Sequence, residues 1–429
     1  MPGRSYKTAL LAHRYVGLFL VVFLVTAGLT GTLIAFFDEL DAWVIPELHE
    51  LPRAERSRPT LDPFEIAEQV DRAMPAGRRF RSVRFDVAQG RTIPTWVEES
   101  PGEWREWFVS PKTGEVVGKR DWGELSEGRK NLMPFIYRLH YSLGLGEVGS
   151  LLFGIAALLW TLDCFVGAYL TFPKPSRGES RSRASFFRRW LPAWMIRTNQ
   201  LFAFVFTFHR ASGLWVWALL FVFAWSAVRF NLPQVYTPVM QTLAGVRPEG
   251  HELLPHLTQP FPEPRLSLRE VHERGKIEMA RAAKERGFSI VRERGIYYAD
   301  DHGAFTYTVE SSLDVSKTNP RTEIYLDGQT GRVLGFSAPT GLNAGNTFSN
   351  WIVYLHMGHV FGLWYRVVVA LLGLVVAGLS VTGVWIWWRK RTKRGRAKGD
   401  RTDKTASEDI ERRGGKCAKA GASSPIHQS

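Results

Sequence analysis

Eleven histidines occur in the chain, and four of them fall at matched places. His13 and His209 open two like segments, His13-Arg-Tyr-Val-Gly-Leu18 and His209-Arg-Ala-Ser-Gly-Leu214. His140 and His356 each follow a leucine and stand six residues before a glycine, Gly146 and Gly362. All four lie at the margins of long apolar stretches. Two imidazoles at one depth, on facing helices around an apolar slot, are what bis-histidine haem iron requires, and a helix bundle is a usual place for it. In both His-Arg-x-x-Gly copies the glycine lies one helical turn after the histidine on the same face, leaving the side-chain gap that a porphyrin needs. The neighbouring Arg14 and Arg210 suit bidentate pairing with a haem propionate. A single histidine at a membrane boundary is ordinarily an interfacial polar residue, arginine there a topology marker, and glycine a site of close helix packing. Four histidines at matched positions carry the haem reading where one does not. The expectation is two haem b groups, one on His13 and His209, the other on His140 and His356.

Other polar residues leave alternatives open. His359, three residues after His356, shares its face if the helix continues, and is either the axial ligand in its place or a proton donor beside the haem edge. The matched position in the first half is Leu143, which favours His356; Met357 points off that face. Asp163 is the only acidic residue well inside an apolar stretch. It either orients a ligand histidine, takes part in proton movement, or stays neutral through burial. The remaining histidines (His49, His251, His256, His272, His302, His427) show no metal-ligand spacing. Cys164 and Cys417 form no CxxC and no plausible pair, which excludes a disulfide framework or zinc site. The chain has no Gly-rich dinucleotide fingerprint, so bound flavin or NAD(P) is not expected.

The elements that must position these histidines are four apolar stretches, about Tyr15–Phe37, Val148–Phe172, Leu201–Phe230 and Val360–Trp388. Each exceeds the roughly 20 residues needed to cross a hydrocarbon core. Trp43, Tyr169, Trp364, Tyr365, Trp385, Trp387 and Trp388 cluster at their ends as an aromatic belt. The net charge of +14 invites a nucleic-acid reading, but its location removes that need. Residues 1–14 carry three basic residues, 173–200 seven against Glu179, and 389–429 thirteen against five acidic ones, while the rest is slightly acidic. Positive charge confined to alternate connections places both termini and the middle loop in the cytoplasm, where the same charges suit anionic membrane lipid. The first apolar run is too long for a cleaved signal peptide and reads as an anchor.

The chain also reads as two copies of one unit: a helix out, an α+β domain, a helix back. Phe108-Val-Ser-Pro-Lys-Thr-Gly-Glu-Val-Val-Gly118 and Tyr325-Leu-Asp-Gly-Gln-Thr-Gly-Arg-Val-Leu-Gly335 both read as strand, tight turn, strand. The expected fold is a membrane α-helical four-helix bundle with two extracytoplasmic α+β domains and an internal two-fold repeat. Its divisions are 1–45, start and first span; 46–130, first soluble domain; 131–173, second span; and 174–200, basic loop. They continue as 201–230, third span; 231–345, second soluble domain; 346–390, fourth span; and 391–429, a disordered tail. Trp96, Trp104 and Trp107 either line a docking cleft in the first soluble domain or pack on its strands.

These histidine segments, with Leu355-His356-Met-Gly358 and Thr382-Gly-Val-Trp-Ile-Trp-Trp-Arg389, resemble the PepSY-associated transmembrane-helix family of bacterial iron-regulated membrane proteins. The two Thr-Gly segments resemble the closing hairpins of PepSY-type domains. The resemblance covers nearly the whole chain except the tail; Asp163 and Cys164 depart from it. It implies an inner-membrane ferric-siderophore reductase, similar to the ferrioxamine reductase of that family, with haem b between the helices. Electrons would pass from a cytoplasmic or quinol donor to a ferric siderophore outside. The narrower alternative is a haem electron donor to a separate periplasmic reductase. The alternative of another class is a non-redox transporter or sensor, which would hold no haem.

Overall fold

The structure, a computed structural model, describes residues 4–100, 102–173, 183–257 and 263–420. Lys174, Arg177 and Arg181 of the basic loop and His427 of the tail lie outside them. Ten helices matter here. In chain order they are α1 (Arg4–Ile34), α2 (Phe37–Val44), α3 (Pro63–Arg72), α4 (Leu132–Ser142) and α5 (Gly146–Thr171), then α6 (Leu201–Trp215), α7 (Trp217–Asn231), α8 (Leu268–Arg286), α9 (Ala344–His356) and α10 (Leu363–Ala420). Eight strands accompany them: β1 (Ser82–Arg84), β2 (Ile93–Ser100), β3 (Glu103–Val109), β4 (Val116–Arg120), β5 (Ile290–Ala299), β6 (Ala304–Ser311), β7 (Thr322–Asp327) and β8 (Val333–Ser337).

Among the described residues, α1, α5 and the Leu363–Thr392 part of α10 are long and apolar enough to cross a membrane. A fourth span is reached if α6 and α7, separated at Val216, count as one. The single third helix expected over 201–230 is therefore broken. Val216, with φ −107° and ψ 12°, is neither glycine nor proline, so nothing in its residue type announces the break. The last helix continues to Ala420, past the point where a structureless tail was expected.

The chain divides into two compact units. One comprises Met1–Val21, Val166–Trp215 and Gly378–Ser429; the other comprises Val22–Phe165 and Val216–Ala377. The second holds both sheets. β2, β3 and β4 form an antiparallel meander, and the other strands form a five-stranded sheet in the order β1-β5-β6-β7-β8. The soluble segments are thus not independent. β1 leaves the first and pairs antiparallel with β5 of the second, Val83 opposite Ile296. Gly295 makes this approach possible, since a Cβ there would stand 2.6 Å from the Val83 carbonyl oxygen. Both expected hairpins are present, with Gly114 and Gly331 at φ 74° and 70° in their turns.

Amphipathic helices close both sheets. α8 starts on a Ser267–Glu270 capping box and buries Val271 and Met279 against Ile296, Phe305, Val309 and Ile324. α3 starts with Asp62 accepting from the Phe64 amide and lays Ile66 and Val70 on Ile93, Val97, Trp107 and Val109. Trp107 is therefore core, not a cleft wall; its Nε1 donates to Glu99, while Trp96 and Trp104 remain exposed.

A buried ion network fastens α2 to this domain. Arg120 donates to both Asp41 oxygens at 3.0 and 2.9 Å and to Glu106 at 2.7 Å, and His49 meets Asp41 at 2.8 Å. Burial pushes the Asp41 carboxyl up, but hydrogen bonds from His49 and Arg120 outweigh it and hold the group below its usual range. α1 and α10 cross closely. A Cβ on Gly28 would meet the Gly373 carbonyl oxygen at 2.5 Å, and Thr32 donates to the Ala370 carbonyl at 2.9 Å.

Candidate functional site

The four matched histidines come together as two pairs, one in each unit. In the first unit His13 on α1 faces His209 on α6, with ring centroids 6.3 Å apart and planes at 68°. In the second, His140 at the end of α4 faces His356 at the end of α9, with centroids 6.2 Å apart and planes at 82°. A metal–imidazole nitrogen distance of about 2.0–2.1 Å, with the ring centre about 1.1 Å beyond the nitrogen, puts two trans imidazoles roughly 6.3 Å apart between centroids. Edge-on packing of bare rings covers the same range, so the separation alone does not decide the chemistry.

Hydrogen bonding at Nδ1 narrows it. His140 Nδ1 meets the Thr30 hydroxyl at 3.1 Å, His356 Nδ1 meets Ser226 at 2.5 Å, and His209 Nδ1 meets Thr382 at 3.0 Å. Each hydroxyl hydrogen is already used within its own helix. Thr30 donates to the Thr26 carbonyl at 2.6 Å, Ser226 to Val222 at 2.7 Å, and Thr382 to Gly378 at 2.7 Å. A hydroxyl has one proton to give, so toward the imidazole it presents a lone pair. Nδ1 must then carry the ring hydrogen, which leaves the Nε2 lone pair free for a metal. Thr30 and Ser226 each stand seventeen residues after His13 and His209 respectively, so the arrangement recurs at the same spacing.

Glycines shape the space around the rings. A Cβ at Gly167 would lie 3.5 Å from His13 Cε1, one at Gly383 3.4 Å from His209 Cε1, and one at Gly31 3.0 Å from His140 Cε1. These glycines let the imidazoles lie against helix backbone. At Gly17 and Gly378 a Cβ would meet nothing within 4 Å, and at Gly213 only Leu379 Cδ2 at 3.9 Å. Gly17 and Gly213, one helical turn after His13 and His209, and Gly378 thus each leave room that a side chain would otherwise take. Phe223 and Phe230 set their rings edge-on to His356, at 4.8 and 5.5 Å between centroids.

The two helices that carry His140 and His356 in their last turn stop for the same reason. Leu143, Gly144 and Gly146 have positive φ after His140, and Gly358, Phe361 and Gly362 have it after His356. The glycine six residues beyond each histidine, φ 59° at Gly146 and 72° at Gly362, is a turn residue that starts the next helix. This corrects the placement of His359. α9 ends at His356, so His359 lies in the following turn and not on a shared helix face. Its amide donates to the Tyr354 carbonyl at 3.1 Å, and its Nδ1 is buried with no protein partner. Met357 sits in the same turn.

Of the two arginines, Arg210 turns to the preceding segment. It donates to the Pro192 and Ala193 carbonyls at 2.6 and 3.1 Å, so its fork is engaged by backbone. Arg14 lies half-buried on α1, and Asp163 half-buried on α5. Among the described residues no three His, Cys, Asp or Glu side chains form a metal-ion cluster.

The description PepSY-associated TM region fits residues 10–390. The chain belongs to that family. The match takes in all four histidines and all three hydroxyl partners, together with both sheets. Among curated proteins none matches this PepSY-associated protein. Thr30, Ser226 and Thr382 were not singled out by the sequence reading. For Thr30 and Ser226 the available signal was their shared seventeen-residue spacing from His13 and His209; Thr382 offered no such repeat.

Proposed function

We propose that this PepSY-associated protein carries electrons across a bacterial inner membrane and reduces ferric iron held by a siderophore on the extracytoplasmic side. Two b-type haems would be held, an inner one by His13 and His209 and an outer one by His140 and His356. One observation carries the reading: the four histidines of matched sequence position stand as two pairs, with centroids 6.3 and 6.2 Å apart, a separation that admits a metal between the rings. Hydroxyl partners at Nδ1 on three of the four rings support it, because that tautomer presents Nε2. The chemistry haem supplies when bound is one-electron transfer.

The protein's own residues do the rest. The histidines would hold the haems in position, and Gly17, Gly213 and Gly378 leave room that side chains would take. Apolar helices keep water away. At the acceptor, ferric iron gains one electron; oxygen chelators hold hard ferric iron tightly and ferrous iron weakly, so reduction releases it. The four-span topology, cytoplasmic termini, two-fold repeat and a cytoplasmic or quinol donor belong to the same proposal. They are supported by the three or four apolar helices and the position of the basic residues.

The test is stopped-flow mixing of dithionite-reduced, purified protein with ferric siderophores, followed at the haem band. Oxidation faster than with buffer, dependent on His140 and His356, is expected. A protein that takes up no haem under adequate supply overturns the proposal. Haem that no ferric siderophore oxidises overturns the reductase step and leaves an electron donor to a separate reductase.

A further inference from the structure

The three hydroxyls do more than fill helix surface. Resting on the haem reading above, we propose that Thr30, Ser226 and Thr382 are positioning residues that fix the tautomer of their histidines and lower the reduction potential of the iron those histidines ligate. Serine and threonine within apolar helices commonly bond back to the carbonyl four residues earlier, and all three do so here. That habit alone does not explain why each also meets an imidazole Nδ1 at 2.5 to 3.1 Å. Nor does it explain why Thr30 and Ser226, at matched positions of the two halves, make the same contact with the matched His140 and His356. Ser226 is fully buried and Thr30 nearly so, which keeps water from the ring hydrogen; the Ala27, Phe223 and Leu379 carbonyls also approach these rings, and the hydroxyls act beside them.

The direction of the effect follows from charge. An acceptor at Nδ1–H pushes electron density toward Nε2 and makes it a stronger donor. A stronger donor stabilises ferric over ferrous iron, because the higher charge gains more from it. Removing the acceptor should therefore raise the midpoint potential of that iron and weaken its hold on the ring. The hydroxyls also sort by site. Thr30 and Ser226 serve the His140–His356 pair, while Thr382 serves the His13–His209 pair.

The experiment is a redox titration of purified, full-length, haem-loaded protein, with haem content measured alongside. Thr30→Val keeps the shape and removes the oxygen; Ser226→Ala removes one oxygen and little else; Thr382→Val does the same for the other pair. Each should shift the ferric-to-ferrous ratio of its own haem about tenfold at fixed potential, an upward shift of about 59 mV for one electron, and leave the other haem unmoved. Thr30→Ser and Thr382→Ser, which keep the acceptor, should behave as the unaltered protein. Unshifted potentials with both haems retained overturn the inference. So does loss of the haem in the serine variants as well as the valine ones, since packing would then be the cause. If Thr30→Val fails to accumulate, Ser226→Ala tests the same haem with a smaller change. Absence of haem from the unaltered protein would instead refute the reading on which the inference rests.

Discussion

Glycine substitutions separate a cofactor slot from ordinary helix packing, because the two kinds of glycine have opposite surroundings. A Cβ on Gly17 meets nothing within 4 Å, and on Gly213 only a leucine methyl at 3.9 Å. In the protein alone, filling either position removes a glycine from a helix, which favours the helix by about 0.8–1 kcal/mol. Gly28 is the reverse case: a Cβ there stands 2.5 Å from a backbone oxygen of the neighbouring helix, and the reciprocal Cβ on Gly373 stands 2.4 Å from the Gly28 oxygen. Backbone cannot swing aside, so overpacking there should cost about 1–3 kcal/mol. Gly17→Leu and Gly213→Leu should therefore leave the haem-free protein at least as stable as before, yet reduce haem from two per chain to one. The haem that remains should be that of the His140–His356 pair. Gly28→Leu should instead lower stability in the haem-free protein. The assays are the haem-to-protein ratio from the reduced spectrum and thermal unfolding in detergent. If Gly17→Leu and Gly213→Leu both keep two haems, the open space is not a porphyrin slot and the argument from these glycines fails.

Three other outcomes follow from the same geometry. His13→Ala or His209→Ala should remove one haem and His140→Ala or His356→Ala the other, read as separate losses in the reduced spectrum; loss of both haems from each single change would refute independent pairs. Arg120→Met should destabilise the unit that holds both sheets by about 3–5 kcal/mol in denaturant unfolding, because it strands buried Asp41 and Glu106. Since the Asp41 pKa is depressed in the folded state, its contribution is complete above the unfolded value of about 3.9 and disappears as pH falls through the folded one. Arg120→Met should flatten that acid limb. Reporter fusions at Pro111 and Thr330 should be active only with extracytoplasmic reporters; cytoplasmic activity at either would contradict the proposed topology.

The histidines were legible because they sit in motifs that recur, and recurrence survives without knowledge of contacts. The hydroxyls were not, since a threonine in an apolar helix ordinarily signals packing, and only its distance to an imidazole reveals another use. The broken third stretch was equally hidden: α6 and α7 meet at a valine, and apolarity continues through the break. His359 was misplaced because periodicity was extended past Gly358, whose φ of 71° ends the helical path. Trp107 was ambiguous in sequence since its strand neighbours are also aromatic, and register decided that it faces the core. The joining of the soluble segments through β1 escaped notice because three residues leave almost no pattern, whereas the hairpins were read correctly from a Thr-Gly turn between alternating residues.

The hydrogen bonds and the histidine pairs divide the work differently along the chain. His140 is held by Thr30, His356 by Ser226 and His209 by Thr382, so each of these contacts lies within one half of the sequence. The pairs cross between halves, His13 with His209 and His140 with His356. On the proposed repeat, one half can therefore orient an imidazole but supplies a single ligand to each iron. The second half brings the opposite ligand, already oriented by its own hydroxyl. A cofactor bound this way links the halves through iron as well as through packing. Its binding free energy then falls on the assembled pair, which it stabilises relative to either half alone. Serine can stand where threonine stands in the other half, provided an acceptor remains for Nδ1.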